Sequence, residues 1–316
     1  MQIDAAHSEL REIPVDHIDR NPENPRILFR PAEMEQLLES IRLYGIQVPI
    51  SVYKDGSRYV LIDGERRWKC ALKLNKRVVP ALIQEKPASL TNLLLMFNIH
   101  ALREQWDLLT IALKLPRLIE LLGVQLRALP NERQIAANTG LSLAVIRRCK
   151  LLIELPEKYK QTILEELEKP KPKQRLTEDF FIEMERALKT VERAMPDAIP
   201  DKESVREVLI EKYRAGIIPN IVQFRKVAKV ARAEKVAADK PRARRVLQKL
   251  FQANRYSIED AFADSVSEAY TERDLKTRIQ GLMGRLDGLM PEDVDDDLRE
   301  SLRLLLRRIQ ALLEEG

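Results

Sequence analysis

The chain has 316 residues, 45% of them hydrophobic, which leaves room for two or three domains with buried cores. Its opening residues do not read as a signal peptide, and no run of eighteen uncharged apolar residues occurs, so neither export nor a membrane span is expected. The net charge of +5 is mild, 33% of residues are charged, and the two cysteines, Cys70 and Cys149, have neither disulfide-framework nor zinc spacing.

Residues 1–90 carry the β signals. The stretch IPVDHI (13–18) reads as a short strand before the turn-rich NPENPR (21–26). Residues 32–44 place Met34, Leu37, Leu38, Ile41 and Leu43/Tyr44 near helical spacing, and Gly45 suits the cap that ends that helix. VPISVY and RYVLI then flank the turn Lys54–Ser57 as a hairpin, a helix runs from Glu65 to about Leu74, and VVPALI is a further strand. Together these make a small α+β domain.

The turn Asp63-Gly64-Glu65-Arg66-Arg67 is unusual. Two adjacent arginines open a helix, where the helix dipole disfavours cations. Free backbone N–H groups and two guanidinium forks at one point form a seat for an anion. The plainer reading is a surface cap in which Glu65 pairs with one arginine. Trp68, on the same helix, reads as a core or hinge residue.

From Thr91 the strands stop, and residues 91–168 read as five or six helices. Within them NERQIAANTGLSLAVIRRCKLL (131–152) has helix-turn-helix spacing. Ala136 stands where two helices approach, Gly140 in the turn, and Ile146 at the buried anchor, while Ser142 caps the second helix. That helix would lie in the DNA major groove and present Ser142, Leu143, Ala144, Arg147, Arg148 and Lys150. The alternative is a helical hairpin with ordinary surface arginines. KPKPKQR (169–175) reads as a linker, and residues 176–316 as a helical C-terminal region.

Charge is unevenly spread over that region. Residues 221–250 hold ten Lys or Arg against two acids, and residues 251–316 hold nine against fifteen. Such a block marks either a polyanion contact or a solvated helical face, and segment 217–235 reads as a contact for DNA or a partner. In 297–315, Leu298, Leu302, Leu305, Ile309 and Leu312 recur at steps of 4 and 3, a heptad seam for a homodimer or for packing on the helix's own domain.

NPENPR (21–26), ESIRLYGIQVPI (39–50) and LIDGERRWKCALKL (61–74), followed by the 131–152 pattern ending in RRCKLLIELP (147–156), resemble the chromosome and plasmid partition protein family, ParB. The resemblance covers roughly residues 10–165. It implies a fold shared with sulfiredoxin, followed by a mostly helical DNA-binding region. It also implies a nucleotide, typically CTP, cradled by Gly64, Glu65, Arg66 and Arg67 and completed by Arg26 and the Gly45-Ile46-Gln47 loop. Asn98 matches a family residue that helps hold Mg²⁺, but Phe97 stands where the family has glutamate; His100 or Glu104 are substitutes in the same stretch, MFNIHALREQWD (96–107). A carboxylate is the hard ligand Mg²⁺ prefers, so Phe97 leaves even weak CTP hydrolysis open.

The expectation is therefore a dimeric, site-specific, nucleotide-gated clamp on double-stranded DNA. It would be cytoplasmic and nucleoid-associated, and a partition ATPase is an implied partner. The competing reading is a phosphotransferase or hydrolase on the same pocket, with Glu65 as its catalytic group. A third is a DNA-binding regulator that needs no nucleotide. The sulfiredoxin reading is weak because its turn needs a reactive cysteine where Glu65 stands.

Overall fold

The computed structural model describes residues 9–24, 29–97 and 107–314. The chain forms two compact units, Met1–Ala187 and Leu188–Gly316.

The first unit opens on a five-stranded mixed sheet. Its strands are β1 (Glu9–Pro14), β2 (Ile18–Asp19), β3 (Ile50–Asp55), β4 (Arg58–Asp63) and β5 (Val78–Gln84), in the order β1-β5-β3-β4-β2. β1 runs antiparallel to β5 and β3 antiparallel to β4, while β3–β5 and β2–β4 are parallel. The stretch IPVDHI is thus not one strand. Pro14 closes β1, Val15–His17 make a single 3-10 turn, and only Ile18 resumes extended structure. The spacing of the buried residues Ile13, Val15 and Ile18 follows that break, from two to three. The expected hairpin is present, its two-residue connection carrying Gly56 at φ 63°.

α1 (Pro31–Tyr44) and α2 (Glu65–Lys73) pack together through Met34, Ile41 and Cys70, with Leu37, Leu38 and Leu74 at the margin. Pro31 at the start and Gly45 at the end of α1 follow the usual helix punctuation. Leu43 and Tyr44 are not part of its buried stripe: each is 70% exposed. Trp68 lies against the sheet core, and its indole N–H donates to the Val15 carbonyl at 3.2 Å.

Five helices follow among the described residues of this unit before residue 170: α3 (Ser89–Met96), α4 (Leu108–Leu126), α5 (Glu132–Thr139), α6 (Leu143–Ile153) and α7 (Glu157–Glu168). The segment 169–175 holds one 3-10 turn, and its Arg175 amide and Gln174 side chain bond back to Glu166 and to the Lys169 carbonyl. α8 (Glu178–Ala194) comes next and contains the boundary between the units.

The second unit contains α9 (Lys202–Arg214), α10 (Phe224–Ala231), α11 (Lys240–Gln252), α12 (Ile258–Ala263), α13 (Ser267–Leu286) and α14 (Asp296–Glu314). Phe224, Val227, Val230, Ala243, Leu247, Leu250 and Ile258 are buried among its first four helices. α13 and α14 bury no residue at all. The architecture is the expected one: a small sheet domain, then helices. No helix among the described residues is long and apolar enough to cross a membrane.

Candidate nucleotide site and nucleic-acid interface

Gly64 sets the geometry of the turn. It adopts φ 96° and ψ 20°, a left-handed conformation that L side chains disfavour. A Cβ there would stand 2.7 Å from Ile50 Cγ2. The glycine therefore serves close packing onto β3 as well as the turn. No side chain caps α2, so its first-turn amides, at Glu65, Arg66 and Arg67, have no intrahelical acceptor.

The two guanidinium forks do not converge. Arg66 Nη2 donates to the Glu33 carbonyl of α1 at 3.0 Å. Arg67 donates to the Val48 and Pro49 carbonyls, the latter at 2.6 Å, and to Asp63 at 2.8 Å. Successive positions on a helix are turned about 100° apart and do not share a face, which corrects the expectation of two forks at one point. Arg67 fastens the loop that follows Gly45. In that loop the Gln47 amide bonds the Tyr44 carbonyl. Gly45 and Ile46 line an open cleft of about 430 Å³ with Glu12, Tyr44, Lys76, Arg77, Val78 and Pro80, a set without Gly64–Arg67.

Glu65 is buried, 4% exposed, and makes the network on the other side of α2. Its Oε2 accepts from the Asn24 amide at 2.7 Å. Arg20 and Lys69 both approach Oε1, at 2.9 and 3.0 Å. They meet it off the hydrogen-bonding direction, so these contacts act as charge pairs. Glu65 is thus not the plain surface cap of the alternative reading. The Lys69 ammonium also sits 3.4 Å from the Phe29 ring centroid. Glu23 extends the network to α3, accepting from the Asn92 amide at 3.1 Å. On α4, burial pulls the Lys114 ammonium below its ordinary range; Glu23 opposes that and Arg20 adds to it.

Besides Glu65 Oε1, two atoms of this network have no hydrogen-bond partner among the described residues: Asn21 Nδ2 and Asn92 Oδ1, in residues 2% and 3% exposed. Each unmet group costs about 1–3 kcal/mol, and such orphans call for a water or a ligand. Arg20, Asn21, Asn24, Lys69, Asn92 and Lys114 were not singled out from sequence. The signal nearest to them is NPENPR, and Lys69 stands one helical turn after Glu65.

Magnesium is not supported by the described residues. Phe97 is fully buried in the core. Glu65 is engaged by two cations and an amide. No group of three or more His, Cys, Asp or Glu among the described residues could hold a metal ion. Arg26, Asn98, His100 and Glu104 lie outside the described residues.

The 131–152 segment forms two short helices. Asn131 caps α5 in a reciprocal pair with Gln134. Gly140 ends α5 in a left-handed conformation, and Ser142 Oγ caps α6 by accepting from the Val145 amide at 3.2 Å. Ile146 is fully buried, as expected, but Ile135 and Thr139 are the buried residues of α5, and Ala136 is half-exposed. Ser142, Ala144 and Arg147 are exposed, and Leu143, Arg148 and Lys150 half-buried. Arg147 and Lys150 share Glu132, each at 2.9 Å, and together they hold its carboxyl below the usual range. Arg148 turns to Asp179 of α8. Exposed pairs of this kind contribute about 0–1 kcal/mol, so phosphates can displace them.

Comparison with known proteins bears on the first domain: residues 1–99 match the ParB N-terminal domain. The likeness is to that domain. Its curated relatives include the nucleoid occlusion protein of Bacillus thuringiensis (strain Al Hakam), 33% identical over 162 residues, or 50% of this chain and 53% of that protein. The chain thus spans about half the length of the curated relatives it matches. Among solved structures, the C-terminally truncated chromosome-partitioning protein ParB from Caulobacter crescentus, complexed with CTP-gamma-S, is 28% identical. The match covers 50% of this chain and 84% of that one, with a TM-score of 0.29. The same protein complexed to the centromeric parS site is 22% identical over 70% and 98%, with a TM-score of 0.42. At these scores neither superposition transfers geometry to this chain.

Proposed function

We propose that this chain is a DNA-binding protein of the partition type whose ParB N-terminal domain seats a nucleoside triphosphate, CTP first among them, against the start of α2. One observation carries the reading. An uncapped helix start is flanked by Arg66 toward α1 and by Arg20, Lys69 and Lys114 in the network of Glu65 and Glu23, to which two orphaned, buried asparagine groups also belong. Backbone amides and cations suit phosphates. Asn21 offers a donor and Asn92 an acceptor, which suits a polar ligand better than a bare anion.

Within this reading Gly64 shapes the approach, Arg66 and the α2 amides bind phosphate, and Arg67 keeps the 45–49 loop in place. Arg26 and Asn98 are further candidates. Glu65 positions Arg20 and Lys69 rather than abstracting a proton, since its oxygens are already engaged. No hydrolytic step is assigned. The Caulobacter relative was solved with the CTP analogue CTP-gamma-S, and CTP is the first nucleotide to test.

α6 is the proposed DNA-facing helix, with Arg147, Arg148 and Lys150 reaching phosphates and Ser142, Leu143 and Ala144 near base edges. The exposed seam of α14, in which Leu298, Leu305, Ile309 and Leu312 are 37–61% exposed, joins two copies. Nucleotide and DNA are coupled only if the nucleotide prefers one arrangement of the domains. Fluorescence anisotropy on duplex DNA tests this. Affinity should change on adding CTP and fall in Arg147→Ala/Arg148→Ala. DNA affinity indifferent to both changes contradicts the reading, and dependence on α6 alone leaves a regulator that needs no nucleotide.

A further inference from the structure

We propose that Lys229, Arg232, Lys235 and Arg273 form a second, sequence-independent seat for the phosphates of duplex DNA, built in the second unit around Tyr270. The proposal rests on DNA being this chain's partner, but it does not depend on α6.

The cluster is assembled by the fold rather than by a run of sequence. α10 supplies Lys229, whose ammonium lies 5.1 Å from the Tyr270 ring centroid. Arg232 caps the end of α10, and Lys235 lies in the 3-10 turn that follows. Arg273 comes from α13, and its Nη1 donates to the Lys235 carbonyl at 3.3 Å. The Tyr270 hydroxyl lies 3.5 Å from the Lys229 carbonyl, which ties α13 to α10 at the same place. Both Arg232 and Arg273 are close enough to Tyr270 to favour its ionised form against the effect of burial. All four cationic side chains are exposed.

Their neighbours show that the arrangement is selective. Lys226 is neutralised by Glu259, Lys240 by Glu234 at 2.6 Å, and Arg244 lies 3.7 Å from Asp197. None of the four has a carboxylate within ion-pair distance among the described residues. Glu272 and Asp274 flank Arg273, yet they pair with Lys276 and Arg278 at 2.6 and 2.8 Å. Four unscreened like charges repel one another, and a polyanion relieves that repulsion. Three of the ten basic residues of 221–250 thus meet Arg273 from α13 around one ring.

The aromatic ring decides which nucleic acid fits. A single-strand platform needs an open ring face on which bases stack. Tyr270 is half-buried, packs against Phe262 at 5.9 Å between centroids, and is covered by Lys229. Its role is to space the cations, so the surface reads backbone phosphate and not bases.

The test is anisotropy of the full chain on a labelled random-sequence 30-bp duplex across a range of salt. Each phosphate contact contributes about 0.9 to the slope of log affinity against log salt. The variant Lys229→Gln/Arg232→Gln/Lys235→Gln/Arg273→Gln should flatten that slope by about 3.6 units and weaken binding about tenfold or more near 0.1 M salt. Arg232→Lys/Arg273→Lys should keep the slope, and Arg147→Ala/Arg148→Ala should leave the contribution of this cluster intact. Failure of the α6 variant to change any DNA binding would count against the functional reading and not against this one. An unchanged slope in the Gln variant overturns the proposal. So does equal loss in the Lys variant, or a clear preference for duplex RNA or phosphatidylserine vesicles over DNA.

Discussion

Replacing Gly64 with alanine puts the close approach of α2 to β3 under direct strain. The native φ of 96° costs a residue with a side chain about 1–3 kcal/mol. The new Cβ would also stand 2.7 Å from Ile50 Cγ2 and 3.0 Å from Ile50 Cβ. Ile50 is fully buried, so it cannot swing away, and forced overpacking adds about 1–3 kcal/mol. The expected loss is about 2–6 kcal/mol. Trp68 lies against the sheet core of the first unit, so urea unfolding followed by tryptophan fluorescence reports on that unit. With a denaturant slope of about 2–3 kcal/mol per molar, the midpoint should fall by about 0.7–3 M. In Ile50→Ala/Gly64→Ala the loss should be smaller than the sum of the single losses, because the clashing methyl is gone. A midpoint within about 0.2 M of the wild type refutes the reasoning. Strict additivity refutes the packing half of it.

Three further predictions concern the helices. Burial raises the Glu178 carboxyl to about 7 despite the hydrogen bond it accepts from the Leu109 amide; Asp107 and Asp179 raise it further, and Arg148 lowers it. The folded state thus holds that proton more tightly than the unfolded chain. First-unit stability should be fully present below about pH 4.5 and fall by up to about 3 kcal/mol as pH rises to about 7; urea midpoints across that range should flatten in Glu178→Gln. Lys212 is buried, donates to the Leu250 and Tyr256 carbonyls, and is lowered by burial to about 8. Here the unfolded chain binds the proton more tightly. Hydrogen-exchange protection of α9 and α11 should therefore increase between about pH 8 and 10.5 beyond the intrinsic rate change, and Lys212→Met should abolish the increase. Ser142→Ala should cost about 1 kcal/mol in urea unfolding through loss of the α6 cap, whereas Ser142→Asp should cost little.

What the sequence made legible was local. α1, α2 and the β3–β4 hairpin follow from apolar spacing and from glycines at three turns, because each signal lies within a few residues of its effect. Reading IPVDHI as one strand failed because the spacing of Ile13 and Val15 mimics a strand that Pro14 has already ended. The divergence of Arg66 and Arg67 follows from helix geometry, but their acceptors on α1 and the 48–49 backbone are tertiary. The polar network was illegible for the same reason: Asn24 and Glu65 are 41 positions apart, and Glu23 and Asn92 are 69 apart. Charge counting found the basic block of the second unit. It could not tell which cations acquire a carboxylate, nor that Lys229, Arg232 and Lys235 meet Arg273 of α13 around Tyr270.

The nucleotide seat is tested most directly by calorimetric titration of CTP into the full chain and into Arg66→Ala and Asn92→Leu. Arg66 is a cleaner choice than Arg67, whose loss would also release the 45–49 loop. Saturable binding to the wild type, weakened about tenfold or more in both variants, is the predicted result. CTP binding of equal strength in all three proteins, or no binding to the wild type, would contradict a seat at the start of α2.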